Sequence, residues 1–156
     1  MKNVLFLLTI ILLATLELRW PSFLNFFHCK PDLLLIFMVV LVFYADFKTA
    51  LLLGILTGLV KDIFLPHQLA LNTICFGIWS YFVYRLSRQI STEENYVRWA
   101  IVLAIALLNN LIAGLASVAT GNIIPAGFFL RNLILVSAYT TLLSPLIFKL
   151  TKRIAA

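Results

Sequence analysis

Apolar residues fill this chain in long blocks, and the charges fall almost entirely between them. Uncharged runs cover residues 4–16, 33–45, 49–60, 68–84, 99–130 and 132–148. A helix needs about 20 residues to cross roughly 30 Å of hydrocarbon. Several runs are shorter than that. Flanking residues must complete them, or the helices are short, or a charge lies inside the membrane. The run over 99–130 is too long for one helix, and it divides into a crossing to about Thr120 and a turn over residues 121–127, with Gly121, Pro125 and Gly127 as breakers. The pattern predicts six helices over 3–16, 32–46, 48–65, 69–87, 97–120 and 128–149. The second and third are joined tightly around Asp46, Phe47 and Lys48 into a hairpin. The start, Met1-Lys2-Asn3 before an apolar run, resembles a signal peptide but offers no small-x-small cleavage site, so it reads as an uncleaved first membrane helix.

Composition fixes the solvent. The chain is 63% hydrophobic and 12% charged, against about 25% charged in a soluble domain. Too little polar surface exists to cover a water-soluble globule. The expected class is an all-α integral membrane protein, a compact bundle of about six helices forming one polytopic domain over residues 1–156. No linker, internal repeat or separate soluble domain is visible.

Lys and Arg number 12 against 6 Asp and Glu. In a soluble protein that surplus suggests nucleic acid. In a membrane protein it belongs to cytoplasmic loops and anionic headgroups, so no nucleic-acid partner is expected. Six crossings place Lys2, Lys48, Arg85, Arg88, Arg98, Lys149, Lys152 and Arg153 on one side, and Arg19, Lys30, Lys61 and Arg131 on the other. The richer side is expected to be the cytoplasmic one, with both termini on it. Between the first two helices, Trp20, Phe23, Leu24 and Phe27 recur at helical spacing. They predict a segment lying along the outer membrane face, as an anchor or as a ledge for a partner.

A few polar residues stand inside the apolar runs. On the third helix Gly54, Gly58 and Asp62 share a face, the two glycines forming a G-x-x-x-G groove that admits another helix closely. Asp62 sits about two-thirds of the way across. Facing lipid it would cost several kcal/mol, so it is expected to face the bundle, as a polar clamp or as a substrate or proton site. Lys61, about 100° away, is expected to snorkel outward to the headgroups. Pro31 suits the first turn of the second helix, and Asp32 suits the positive end of its dipole. Asn109 and Asn110, midway along the fifth helix, are expected to hydrogen-bond across to neighbours, with Gly114 and Ser117 marking close packing. His28, Cys29 and His67 are too few and too scattered for a zinc site, and Cys29 and Cys75 do not imply a disulfide. No G-x-S-x-G, H-E-x-x-H or P-loop occurs. No enzyme activity, metal or cofactor is expected.

Lys30-Pro31-Asp32-Leu33-Leu34-Leu35 opening the second helix, and Gly54-x-x-x-Gly58-Leu59-x-x-Asp62 ending the third, resemble the bacterial rod shape-determining family MreD. In that family the PDLLL and GxxxGLxxD motifs recur at about this separation. A helix like 69–85, with Gly77 and Tyr81, follows. The chain departs from the pattern at Lys61, where an apolar residue is usual, and at residues 66–69, where the turn is usually richer in glycine. The resemblance implies a non-enzymatic scaffold of the cell-elongation complex. Such a scaffold sits in the lipid bilayer, binds MreC, is linked to MreB, RodA and its transpeptidase partner, and supports lateral peptidoglycan synthesis and rod shape. It also implies a fold similar to the substrate-binding subunits of energy-coupling factor (ECF) vitamin transporters, and hence a second reading as such a subunit.

Overall fold

The computed structural model describes residues 2–24, 29–64, 70–91 and 93–155. They form α1 (Lys2–Leu18), α2 (Leu33–Tyr44), α3 (Phe47–Phe64), α4 (Leu71–Gln89), α5 (Asn95–Ala119) and α6 (Ala126–Ala155), with a 3-10 turn at Ser22–Leu24 after α1. Each predicted helix has its counterpart. The largest difference is at the end, where α6 continues past the expected residue 149. Thr151 is buried there, and Lys152 and Arg153 suit the negative end of the helix dipole.

The centre of the bundle is α2, which touches each of the other five helices. Its twelve residues are apolar all round, and ten of them are buried. A helix with no polar face is stable only when neighbours enclose it. At 12 residues it rises about 18 Å, short of the roughly 30 Å of hydrocarbon. Its start lies inside the bundle, with Leu33 to Val42 buried, while its last residue, Tyr44, is 36% exposed. Around it α3 and α4 form one tightly packed pair and α5 and α6 another. Of all the helices described, Asn95–Ala119 and Ala126–Ile154 are by themselves long and apolar enough to span a membrane.

The outer surface, unlike that of a soluble protein, is largely apolar. Large apolar residues such as Leu8, Ile11, Leu142 and Leu146 face outward, at 56–77% exposure for the last three. Inside, α6 carries a stripe of small hydroxyls, Ser137, Thr140, Ser144 and Thr151, each fully buried. That stripe lets α2 approach α6 closely. The hydroxyls also repair the backbone. Pro145 has no N–H to offer the carbonyl of Thr141, and Ser144 Oγ donates to that carbonyl instead, at 2.7 Å.

The segment after α1 departs from expectation. Trp20 turns inward, half-buried, with its ring edge-on to Tyr139 at 6.2 Å, while Phe23 stays 85% exposed. The two do not share a face, because Trp20 stands before the 3-10 turn at Ser22–Leu24 and outside its repeat. Tyr139 Oη holds the turn by donating to the carbonyl of Leu24 at 2.9 Å. Phe27 lies outside the described residues.

Candidate functional site

Because α2 starts inside the bundle, its first N–H groups have no water to bond and need acceptors. Asp32, 6% exposed, is the N-cap, and its Oδ1 accepts from Leu35 N–H at 3.1 Å. Pro31, also buried, precedes this cap and so stands outside the first turn where the sequence placed it. Glu17, from the end of α1, supplies the next acceptor, with Oε2 taking Leu34 N–H at 3.3 Å. The N–H of Asp32 itself donates to Thr140 Oγ1 on α6 at 3.1 Å. Two carboxylates thus meet at one buried helix start.

Lys61 neutralises them. Its ammonium donates to Asp32 Oδ2 in a hydrogen-bonded ion pair and lies 3.9 Å from Glu17 Oε1. The ring of Phe76 sits 5.4 Å away, adding a cation–π contact. Lys61 is only 8% exposed and does not reach outward, contrary to the expectation from helix geometry alone. The reason is the position of α3, which packs against α1 and α2 on one side and α4 on the other. A residue 100° from Asp62 therefore meets another helix and not lipid.

Asp62 is half-buried and turned toward α4. Its Oδ1 accepts from Asn72 N–H at 3.1 Å and Asn72 Nδ2 at 2.9 Å, and its Oδ2 from Thr73 N–H at 2.8 Å and Thr73 Oγ1 at 2.5 Å. This is a helix cap supplied from another helix. The residue at the N-cap of α4, Ala70, has a left-handed backbone at φ 61° and makes no side-chain cap bond. The same pair of helices meets through the glycines. A Cβ on Gly58 would fall 2.7 Å from Thr73 Cα and 2.8 Å from Asn72 C, and one on Gly54 would overlap the Ser80 hydroxyl. The groove read from the sequence is therefore filled by α4.

Asn109 and Asn110 both reach across to other helices. Asn109 Oδ1 accepts from Trp79 Nε1 on α4 at 3.3 Å, and Asn110 Nδ2 donates to Ser137 Oγ on α6 at 3.1 Å. Gly114 takes the ring of Phe129 against its backbone. Beside Lys61 a cavity of about 290 Å³ opens, lined by Glu17, Lys30, Pro31, Asp32, Lys61, Asn72, Asn109 and Asn110 among others. Of the sequence-selected residues, Pro31, Asp32, Asn109 and Asn110 meet at this cavity, while Gly54, Gly58 and Asp62 serve the α3–α4 contact. Glu17 and the α6 hydroxyls were not singled out from the sequence. The signal for the hydroxyls was available, since residues 137, 140, 144 and 151 recur at helical spacing.

Cys29 and Cys75 are both buried. Burial pushes the Cys29 thiol up from its ordinary pKa, so it stays protonated and donates to Asn132 Oδ1 at 3.1 Å. No group of three metal-ligating side chains is gathered among the described residues, and His28 and His67 lie outside them.

Residues 1–154 match the family model of the rod shape-determining protein MreD. No curated protein and no solved structure matches the chain, so the expected likeness to ECF transporter subunits has no counterpart there.

Proposed function

The chain belongs to the MreD family, a rod shape-determining family of membrane proteins, and from that premise we propose that it is a non-enzymatic scaffold of the cell-elongation complex. It forms one polytopic domain over residues 1–156 in the bacterial inner membrane, with both termini in the cytoplasm. There it binds MreC, meets MreB, RodA and its transpeptidase partner directly or through MreC, and supports lateral peptidoglycan synthesis. The family match across nearly the whole chain carries this reading.

The chemistry of the interior agrees with it. Asp32, Lys61 and Asp62 are committed to capping helix starts and to ion pairing, which rigidifies a bundle. The connections described between helices are too short to fold by themselves, so partners are met within the membrane or at its faces. Crosslinking in native membranes followed by purification of this chain tests the proposal. MreC is the expected companion. Its absence, with an ATPase module recovered in its place, refutes the scaffold reading.

A further inference from the structure

The cavity beside Lys61 holds polar groups that the bundle leaves incompletely used. Glu17 Oε1 is 3.9 Å from Lys61 Nζ, beyond hydrogen-bond reach, because the ammonium bonds Asp32 instead. Asn109 is 3% exposed, and because its oxygen is taken by the Trp79 indole N–H, its NH2 is left over. Among the described residues that NH2 meets no acceptor, although Asn109 lines the cavity. Facing the cavity, it is available to an acceptor on a ligand. At the rim stands Lys30, exposed and with no carboxylate within 4.0 Å among the described residues.

These leftovers have opposite demands. Glu17 wants a cationic donor, whereas Lys30 and Asn109 want an anionic acceptor. At about 290 Å³ the cavity lies at the small end of ligand sites, which run from about 300 to 1,000 Å³. The rim carries exposed apolar side chains, Leu18 and Phe64, at 46% and 41%.

We propose that this cavity binds a small zwitterion, a primary ammonium one short spacer from a phosphate, supplied as the headgroup of phosphatidylethanolamine. The ammonium donates to Glu17, and the phosphate receives Lys30 and the Asn109 amide. The apolar rim meets the start of the acyl chains. A trimethylammonium has no N–H to give Glu17, and phosphatidylglycerol has no cation to offer it. This inference goes beyond the scaffold reading and does not depend on it, so its failure leaves the MreC experiment untouched.

Native mass spectrometry of the intact protein, offered equal amounts of phosphatidylethanolamine, phosphatidylcholine and phosphatidylglycerol, tests it. Phosphatidylethanolamine is retained about tenfold over the other two, the scale of one charge-assisted hydrogen bond. Glu17→Gln keeps an oxygen for Leu34 N–H yet loses about tenfold in retention. Lys30→Gln, at an exposed position that folding does not need, loses a similar factor. Free ethanolamine phosphate displaces the lipid. Binding of the free compound without retention of the lipid overturns the lipid as its source. Equal retention of all three lipids overturns the proposal, as does unchanged retention by Lys30→Gln or lipid that the free compound does not displace.

Discussion

Lys61 and Asp62 are neighbours in the chain, about 100° apart around α3, and each serves the buried start of a different helix. Asp62 holds the first amides of α4, while Lys61 balances the two carboxylates that hold the first amides of α2. Removing one partner of a buried ion pair is more damaging than removing both, because an uncompensated charge remains. Lys61→Met therefore destabilises the protein by about 3–5 kcal/mol. Adding Asp32→Asn recovers part of that loss, since the amide oxygen still accepts from Leu35. Unfolding of the purified protein in detergent measures both. Equal stability of Lys61→Met and the parent protein, or a double variant weaker than the single one, contradicts this account.

At the scale of elements, close approach is decided by what stands opposite each small residue. Opposite Gly58 lies the backbone of Asn72 and Thr73, which cannot rotate aside as a side chain does. Gly58→Ala forces α3 and α4 apart, at a cost of about 1–3 kcal/mol. Gly127, in the first turn of α6, has nothing within 4 Å of an added Cβ. Gly127→Ala gains about 0.5–1 kcal/mol from helix propensity. Thermal melts of the two variants should move in opposite directions, and a shared direction would refute the packing argument. Their difference lies in the neighbour, since both positions are helical.

The whole molecule is built around a short apolar helix that starts in the buried interior. Enclosing α2 obliges the bundle to bring acceptors inward, and the charges follow from that obligation. The outer surface is left to apolar side chains, as a lipid solvent requires. Orientation is set by the loops. Arg85, Arg88 and Arg98 around the α4–α5 connection, with Lys149, Lys152 and Arg153 near the end of α6, form the densest basic groups. The positive-inside bias predicts a cytoplasmic place for both. Reporter fusions in the 88–98 connection and at the C-terminus should both give cytoplasmic signals, and an external signal at either reverses the orientation.

Helix number, helix order and the membrane as solvent were legible in the sequence, because each depends on local apolar content and on the length of runs between charges. Pairing the PDLLL and GxxxGLxxD motifs was enough to indicate the family. Periodicity put Gly54, Gly58 and Asp62 on one face, since a helix fixes the angle between its own residues. It could not fix what each face meets. Lys61 looked bound for the headgroups until α1 and α2 were found on that side of α3, and Glu17, just past the expected end of the first helix, drew no reading until the start of α2 was found beside it. Where a charge belongs in this protein is decided by which helix begins next to it, and that neighbour is brought there only by the tertiary fold.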